Sequence, residues 1–301
     1  MVCAESWKGR FGAMRCLRRA CKLVAPGYTG RRARWLVRRW FLRDRTITIV
    51  IDKDVHIKLP AIGALAYAFV VDGDFEKTER EFIQRFLRPG DVFLDVGANA
   101  GLYSVLAAKR VGDQGKIHAF EPDPGGFSLL RVNVDLNDVR NVILNRMVVS
   151  NDNGVVKFGS CPDAAFSSMR QNAYHQTRGN LEWFEVDSVS LDAYVERQRL
   201  ERVDLVKVDV EGAELDVLLG ASVVLRRTPA PVLMIEFCDV TTAGFGYEAN
   251  QLPQLLEGYG YQLYHYDPEQ QRLLEHHRQV AYDFPTLIAT KDAAWVNSRL
   301  A

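Results

Sequence analysis

Segments of two different hydrophobic periods alternate along most of the chain. The segment "TITIVIDKDVHIKLP", residues 46–60, alternates apolar and polar positions on both sides of an Asp-Lys-Asp turn, which predicts a small β-hairpin. The following "DFEKTEREFIQRFLRPG" spaces its apolar residues as a helix does, and its Pro-Gly pair predicts where that helix ends. From residue 91 onward, short apolar runs alternate with longer amphipathic segments such as "GGFSLLRVNVDLN". This alternation predicts a parallel β-sheet with helices on both faces.

Seven apolar runs are predicted to form the strands of this sheet: "VFLDV", "KIHAFEP", "VILNRMVVS", "LVKVDV", "PVLMIEF", "YQLYHYD" and "FPTLIATKD". The last two runs are close together along the chain, so one of them is expected to run antiparallel at the sheet edge. A single helix, "AELDVLLGASVVL", is expected after the fourth strand. These elements predict an α/β fold of Rossmann-like type. The main domain is expected to span residues 81–301, with residues 46–80 as a hairpin and helix that lead into it.

The charge of the chain is unevenly distributed. Residues 1–45 contain thirteen Lys or Arg against two acidic residues, about +11, and because the whole chain is neutral the remainder carries about −11. Within this arm, "RRARWLVRRWFLR" places its apolar residues on one helical face. A basic amphipathic helix of this kind fits an anionic membrane surface, and docking on the protein's own body is the equal alternative. A transit peptide is a third interpretation.

The cysteines and the apolar runs bear on the compartment. The five cysteines show neither paired spacing nor the density of a disulfide-stapled secreted domain, so reduced thiols are expected. No apolar run reaches the roughly 18 residues that span a bilayer, and the N-terminus lacks the apolar core of a secretory signal. These features predict a cytoplasmic protein whose membrane association depends on the arm.

The most informative segment is "DVGANAGLY", which follows the first apolar run of the sheet. Asp95 closes that strand at its carboxyl end, where open α/β sheets bind ligands. Gly97 and Gly101 permit positive φ and let a ligand approach the backbone, and Asn99 between them tolerates left-handed geometry. The next helix begins beside Tyr103, so its free amides are expected to face the ligand. The segment therefore predicts a ligand-binding loop.

Two acidic residues indicate which ligand this loop takes. A dinucleotide site favours Gly-x-Gly-x-x-Gly with a pyrophosphate on the helix N-terminus, whereas the spacing here is Gly-x-x-x-Gly. Asp95, directly ahead of the glycines, would repel a phosphate but suits an ammonium group. Glu121 ends the second strand, about 20 residues after the loop, where a carboxylate can accept both ribose hydroxyls of an adenosine. An amino-acid conjugate of a nucleoside meets both conditions, so the sequence predicts a site for S-adenosylmethionine.

Five segments resemble the FkbM family of S-adenosylmethionine-dependent methyltransferases: "FLDVGANAGLYS", "AFEPDP…LLRVNVDLN", "VVSNDNG", "SLDAYV" and "VDLVKVDVEGAELDVLLGA". The resemblance spans roughly residues 80–290 and excludes the basic arm, and its last block is the most specific. It implies a class I methyltransferase sheet and methyl transfer usually to oxygen, often on a sugar or natural-product hydroxyl. The residues to which it gives a cofactor role are Asp95, Gly97, Asn99, Gly101 and Glu121.

Further cofactor contacts are expected around this loop and after the third strand. Ala98 lies within the loop and Tyr103 directly follows it, so both are included in the predicted site. Ser150 and Asn151 follow the third strand, where the adenine would lie. Hydrogen bonds to the exocyclic amine are one interpretation of these two residues, and ordinary turn chemistry in "SNDNG" is the other.

Acidic residues at the ends of the fourth and fifth strands predict the acceptor side. Asp209 and Glu211 are two residues apart, which places them on the same face of an extended chain. One of them could hold the methionine ammonium, which makes Asp209 a cofactor candidate as well, while the other meets the acceptor. Alternatively, Glu211 and Glu214 are first-turn helix acids that favour the helix dipole. Glu236 ends the fifth strand, and a carboxylate there could orient an acceptor hydroxyl.

One histidine is a candidate general base. His175 falls in the insert "CPDAAFSSMRQNAYHQTRGNLEWF", which is expected to roof the acceptor pocket because loops on a rigid scaffold often carry specificity. No cluster has the spacing of metal ligands, so no metal site is predicted.

These predictions combine into one function and two alternatives. The expected function is O-methylation of a hydroxyl on a sugar, glycan or natural product by an S-adenosylmethionine-dependent methyltransferase. The first alternative is an RNA or protein methyltransferase whose basic arm steers an anionic partner, but the arm lies outside the main domain, which argues against nucleic acid. The second is a non-catalytic, membrane-tethered scaffold that binds an adenosyl ligand.

Overall fold

The structure, a computed structural model, describes Arg31, Trp35 and residues 46–52, 54–61, 63–161, 167–170 and 181–301. The predicted basic arm, apart from Arg31 and Trp35, lies outside the described residues. The strands are β1 Thr46–Ile51, β2 Val55–Pro60, β3 Val92–Val96, β4 Lys116–Phe120, β5 Val142–Asn145, β6 Val148–Ser150, β7 Gly154–Ser160, β8 Glu182–Ser190, β9 Leu205–Val208, β10 Val232–Cys238, β11 Gln262–Asp267, β12 Arg272–Glu275 and β13 Asp283–Thr290.

The helices connect and cover these strands. They are α1 Ala64–Tyr67, α2 Lys77–Phe86, α3 Leu102–Val111, α4 Pro124–Leu136, α5 Leu191–Arg197, α6 Glu214–Leu219, α7 Ser222–Arg226, α8 Asp239–Thr242, α9 Gln251–Gly258 and α10 Ala293–Leu300, with a π-helical turn at Ala68–Asp72 and a 3-10 turn at Ala243–Phe245. The hairpin predicted at residues 46–60 is present as the paired strands β1 and β2. The helix predicted before Pro89 is α2.

The main sheet has the strand order β12-β11-β13-β10-β9-β3-β4-β5 among the described residues. The five strands from β10 to β5 are mutually parallel, which confirms the predicted α/β fold. From β3 the chain continues to β4 and β5 on one side, and β9 and β10 follow on the other. The order therefore reverses between β3 and β9, and open α/β sheets bind their ligands outside the carboxyl ends of strands at such a point.

One strand of this sheet was predicted correctly in direction but wrongly in position. β13 runs antiparallel to both β10 and β11, so it lies inside the sheet, and the edge is formed by the short strand β12, which the sequence pattern did not predict. The inner position suits its sequence, because the last four residues of β13 are buried. The sheet thus contains the seven predicted positions and one additional edge strand.

Two predicted elements are divided in the structure. The run "VILNRMVVS" forms β5 at the edge of the main sheet and β6 in a second sheet of order β6-β8-β7, so the prediction of a single third strand is wrong. The predicted helix "AELDVLLGASVVL" is broken into α6 and α7 around Gly220. A Cβ atom on Gly220 would lie 2.1 Å from the carbonyl oxygen of Ser150, so the backbone of this turn packs directly on the end of β6.

The core lies on both faces of the main sheet because successive residues of β3 point in opposite directions. Leu94 and Val96 belong to an apolar cluster with side chains of α5, α6, α7 and α9. Asp95 points the other way, where Ser104 of α3 donates a hydrogen bond to it. The helices therefore hold β3 from both sides, and the loop that follows β3 starts from a buried strand.

The chain divides into two compact units. One includes Arg31, Trp35 and residues 59–75, and the other includes residues 48–58 and 76–301. In the first unit, Arg31 donates a hydrogen bond to the carbonyl of Val71 and Trp35 packs edge-on against Tyr67. The expected boundary between residues 80 and 81 falls inside α2 and inside the second unit, which also includes residues 48–58 of the predicted lead-in.

Within the described part of the chain, no helix combines the length and the apolar character that crossing a bilayer requires.

Candidate functional site

The loop between β3 and α3 has the backbone geometry that its sequence predicts. Gly97, Asn99 and Gly101 have φ values of 87°, 49° and 84°. The amides of Gly97 and Ala98 both donate to the carbonyl of Phe120 at the end of β4, at 3.1 and 2.9 Å. The loop is therefore fixed against the neighbouring strand by two of its own amides. The expectation that the free amides at the start of α3 face a ligand stays a prediction.

Glu121 links this loop to the start of the next helix through hydrogen bonds of its carboxylate. Its two carboxylate oxygens accept hydrogen bonds from the backbone amides of Asn99 and Asp123, at 2.7 and 2.8 Å. Burial raises the pKa of Glu121 to about 8, in spite of these hydrogen bonds. Each oxygen keeps a further lone pair, so the carboxylate can accept hydrogen bonds from a ligand without releasing the loop.

Asp95 lies fully buried beneath the loop. Its Oδ2 accepts a 2.5 Å hydrogen bond from Ser104, whereas its Oδ1 is buried and has no hydrogen-bond partner in the described part of the structure. Burial raises the pKa of Asp95, and the nearby Lys207 opposes that rise. A buried acceptor without a donor is costly, so a donor from a ligand would stabilise this position.

The two loop glycines are required by contacts within the protein. A Cβ on Gly97 would lie 1.8 Å from the carbonyl oxygen of Asp209, and one on Gly101 would lie 2.5 Å from the Leu130 side chain. The sequence pattern had assigned this space to a ligand. Instead, Gly97 lets the end of β9 approach the loop, which brings the predicted cofactor and acceptor residues together.

We expect Gly97→Ala to destabilise the protein more than Gly90→Ala does. Both glycines have nearly the same φ, 87° and 88°, but a Cβ on Gly90 meets nothing within 4 Å. The control should cost about 1–2 kcal/mol for the left-handed backbone alone, and Gly97→Ala about 2 kcal/mol more because a backbone oxygen must move. Urea unfolding measures both free energies. Equal losses of unfolding free energy in the two variants would show that the Asp209 carbonyl moves aside at no cost.

The acceptor side is built around a buried lysine at the end of β9. Lys207 forms a 2.8 Å ion pair with Asp209, and its ammonium lies 4.9 Å from the centre of the Tyr103 ring. The Tyr103 hydroxyl donates a 2.5 Å hydrogen bond to Glu76, the residue that precedes α2. These four residues and Glu236 line one small cavity. Tyr103, predicted as a cofactor residue, is thus placed against the acceptor candidates.

Two carboxyl groups of this cavity, those of Glu76 and Glu236, have raised pKa values. Burial and the charge of Asp209 raise the pKa of Glu76 to about 8, although Lys207 and the Tyr103 hydrogen bond lower it. Burial, Asp209 and Glu211 raise the pKa of Glu236 well above its usual range. Burial alone would lower the pKa of Lys207, but the surrounding carboxylates raise it. The cavity therefore combines a cation with two carboxyl groups that bind protons more tightly than usual.

The other acidic candidates are placed by the turn after β9. This strand ends at Val208, and Glu211 has a φ of 54°, so the expectation that Asp209 and Glu211 share the face of an extended chain is wrong. The turn folds this way because Gly212 packs on the carbonyl of Thr241, 2.5 Å from where a Cβ would be. Glu214 accepts hydrogen bonds from the amides of Val210 and Gly212, which is the alternative role considered for it, a helix-start acid.

Glu236 reaches the cavity through an irregularity in its strand. It pairs with Thr286 of β13, and the register shifts between Glu236 and Cys238. Bulges of this kind re-aim a side chain next to a site. Glu236 lies with Glu76 and Asp209 along the same cavity, but β10 continues beyond it to Cys238, so the prediction that Glu236 ends the fifth strand is wrong.

The remaining predicted residues lie apart from this cavity or outside the description. Ser150 ends β6 in the second sheet, and its hydroxyl donates to the side chain of the exposed Asn151 at 3.2 Å. Their predicted contact with adenine stays a prediction. His175 lies outside the described residues. In the described part of the chain, no cluster of three or more His, Cys, Asp or Glu side chains has the arrangement of a metal site.

Sequence reasoning missed three residues of the site. Glu76 lies among several charged residues in "DFEKTERE", so the sequence pattern does not mark it as a site residue. Lys207 is marked by its context, since it is the only charged residue of the buried strand "LVKV". Asp123 caps α4 and also accepts a 3.1 Å hydrogen bond from Ser167 of the insert. The described end of the insert is thus tied to the same edge of the sheet.

The reversed strand order with an internal antiparallel strand, and the acidic cavity at the carboxyl edge, define a class I methyltransferase fold. The family model described as the methyltransferase FkbM domain matches residues 95–263, which is more than half of the chain. The chain therefore belongs to the FkbM methyltransferase family. The match covers the glycine loop, Glu121 and all the acceptor-side residues except Glu76.

Several curated relatives match a part of the chain. The hexuronic acid methyltransferase AglP of Haloferax volcanii is 33% identical over 138 residues, covering 45% of this chain and 52% of that protein. The 2-O-methyltransferase NoeI of Sinorhizobium fredii is 28% identical over 163 residues, 50% of this chain and 66% of that protein. The 31-O-demethyl-FK506 methyltransferase FkbM of Streptomyces tacrolimicus is 31% identical over 163 residues, covering 44% of this chain and 61% of that protein. The chain thus spans between half and two thirds of these relatives.

Solved structures resemble the chain only distantly. An S-adenosylmethionine-dependent O-methyltransferase from Thermotoga maritima is 15% identical, covers 81% of this chain and 77% of its own, and has a TM-score of 0.37. The assignment of the fold rests instead on the strand order and on the family match.

The residues at the carboxyl edge fit S-adenosylmethionine, the cofactor that the family implies. The unpartnered Oδ1 of Asp95 is buried beneath the loop. The carboxylate of Glu121 lies at the end of β4, in the position of the ribose ligand of doubly wound folds. The neighbouring cavity is lined by the carboxyl groups of Glu76, Asp209 and Glu236. The fit rests on these carboxylates and not on the glycines, whose space the protein itself fills.

Proposed function

We propose that the protein transfers a methyl group from S-adenosylmethionine to a hydroxyl group of a sugar, glycan or natural product. The observation that carries this proposal is the cavity shared by Glu76, Asp209 and Glu236, directly beside the loop of Asp95. The names of the relatives support it, since they include a 2-O-methyltransferase and a 31-O-demethyl-FK506 methyltransferase. Asp95 would hold the amino-acid end of the cofactor and Glu121 its ribose.

Each carboxyl group of the cavity has its own role in activating an acceptor hydroxyl. When bound, the cofactor supplies a methyl group made electrophilic by the sulfonium charge. Glu76, whose pKa is raised to about 8, is a base close to neutrality and takes the acceptor proton. Burial and the neighbouring carboxylates raise the pKa of Glu236 as well, so in its protonated form it donates a hydrogen bond to the acceptor, while Asp209, fixed by Lys207, orients it. Two nearby carboxyl groups often divide the roles of base and hydrogen-bond donor in this way.

The charge of the cavity limits the acceptor. Glu76, Glu79, Asp209 and Glu236 line it against one lysine that Asp209 already pairs. Once Glu76 is ionised, as its role as base requires, its charge would repel a carboxylate or phosphate beside the reacting oxygen. The acceptor is therefore a neutral polyol at the site of methylation, and any charge it carries lies elsewhere.

Incubation with S-adenosylmethionine carrying a labelled methyl group tests this function. A panel of neutral glycosides, uronic acids and hydroxylated macrolides is incubated with the full chain, and products are separated by mass spectrometry. We expect a mass gain of one methylene on a neutral hydroxylated acceptor and none on the uronic carboxylate. Methylation of RNA or protein, or cofactor binding without turnover on any acceptor, would contradict the proposal in favour of the alternatives.

A further inference from the structure

A second cavity, of about 460 Å³, lies along α2. Six cationic side chains line it, Lys77, Arg80, Arg85, Arg88, Arg110 and Arg299, and only Asp52 and Glu81 among its lining side chains are acidic. Its volume is in the range of small-molecule sites, about 300–1,000 Å³, but such sites are mostly apolar. A cavity of this size that is lined by cations suits a charged ligand.

The positive charge of this second cavity exceeds the negative charge that the described residues place beside it. Three of the cations have acidic partners: Arg80 with Asp52 at 3.7 Å, Arg85 with Glu81 at 3.0 Å, and Arg299 with the buried Asp91. Lys77, Arg88 and Arg110 form no ion pair with any carboxylate of the described residues. The excess among the described residues is therefore three positive charges.

The free backbone carbonyls at the end of α2 account for the positions of these arginines but not for their number. The carbonyl of Leu87 accepts hydrogen bonds from Arg88 and Arg110, at 3.2 and 2.9 Å, and that of Phe86 accepts one from Arg299 at 2.9 Å. Cations at a helix C-terminus favour its dipole, but that end carries only about half a negative charge. Burial lowers the pKa of Arg88, and the charges of Arg110 and Arg299 add to this, as expected of an unneutralised cluster.

The carbonyl contacts also hold the guanidinium groups in fixed orientations. Arg110 uses its Nε for Leu87, and its two terminal nitrogens donate to nothing else in the described structure. A guanidinium whose remaining donors are already oriented loses little entropy when an oxyanion arrives. Arginine forks match phosphate oxygens in geometry, and a lysine adds a point charge. Lys77, at the other end of the cavity, would extend such a site along the helix.

We propose that the second cavity binds a small phosphorylated ligand with at least two negative charges, held by Lys77, Arg88 and Arg110. This site is separate from the proposed methyl transfer and does not depend on it. α2 contributes to both cavities, because Glu76 and Glu79 line the acceptor cavity whereas Lys77 and Glu81 line this one. The ligand chemistry is a diphosphate or a pair of phosphates, whether free or on a lipid headgroup.

Calorimetric titration of the full chain with inorganic pyrophosphate at low ionic strength tests the proposal. Lys77 makes no hydrogen bond or ion pair in the described structure, so Lys77→Gln should fold normally and weaken binding about tenfold, as loss of one charged contact does. Arg110→Gln should weaken it at least as much. Arg131→Gln removes an exposed cation from α4 and should leave pyrophosphate binding unchanged. Binding of S-adenosylhomocysteine, measured in parallel, reports on folding.

The Kd values of these variants distinguish a specific binding site from nonspecific electrostatic attraction. A Kd that rises in Lys77→Gln and Arg110→Gln, but not in Arg131→Gln, supports the site. Absence of pyrophosphate binding by the wild type, or equal losses in all three variants, overturns it.

Sedimentation with vesicles that contain phosphatidic acid is a second experiment. Sedimentation that depends on Lys77 and is displaced by pyrophosphate assigns the ligand to a lipid headgroup, whereas Lys77-dependent sedimentation without pyrophosphate binding makes the cavity a membrane contact and overturns the proposal.

Discussion

Replacement of Glu121 by Gln should weaken the binding of S-adenosylhomocysteine by about 10²–10⁴-fold, because two charge-assisted hydrogen bonds to the ribose are lost at about 1.5–3 kcal/mol each. Calorimetric titration measures the effect directly. A pH dependence should disappear as well. The pKa of Glu121 is raised to about 8, and ribose hydroxyls bind its ionised form, so wild-type affinity should rise with pH up to about 8. The variant lacks this carboxyl group, so the part of the pH dependence that comes from Glu121 should disappear.

The control for this prediction must separate binding from folding. Glu121 also accepts the amides of Asn99 and Asp123, so the variant is expected to unfold at a lower temperature than the wild type. Thermal unfolding identifies the temperature range in which both proteins are folded, and titrations are made there. Glu201→Gln removes an exposed carboxylate and should change neither property. Wild-type affinity in the folded Glu121 variant would show that the ribose is held elsewhere.

The glycine loop was predictable because its geometry is a local property. Positive φ at Gly97, Asn99 and Gly101 follows from the residues themselves, since few others adopt that geometry without strain. The reason for Gly97 was not predictable. The group that its missing Cβ would meet, the carbonyl of Asp209, is more than a hundred residues away along the chain. One sequence shows that a position is special, whereas the structure shows which part of the protein requires it.

The divided elements and Glu76 show the same limit. The run "VILNRMVVS" is apolar enough for one strand, and only the pairing of its two halves with β4 and β8 separates them into two sheets. The break at Gly220 depends on the distant carbonyl of Ser150. Glu76 gains its properties from burial and from Tyr103, Lys207 and Asp209, which are remote in sequence. Charge patterns in one sequence do not indicate which acid of a helix start is buried.

Glu76→Gln should lower kcat by about 10²–10⁴, the usual contribution of a general base, with little change in cofactor affinity. The glutamine oxygen can still accept the Tyr103 hydrogen bond, so folding should persist. A base works when it is deprotonated, and Glu76 has its pKa raised to about 8. Wild-type kcat should therefore rise with pH and level off above about 8, whereas residual activity of the variant should lack this rise. Initial rates between pH 6 and 9, with a saturating acceptor from the methylation panel, measure both.

Tyr103→Phe distinguishes a base from a merely structural carboxyl group. The Tyr103 hydroxyl donates to Glu76 and lowers its pKa, so removing that hydroxyl should move the rise in kcat to higher pH while activity above the new pKa is retained. A structural role for Glu76 predicts a uniform loss without a shift. If the rise persists in Glu76→Gln and disappears only in Glu236→Gln, the proton is taken by Glu236. The two carboxyl groups would then exchange the roles that their surroundings assign to them.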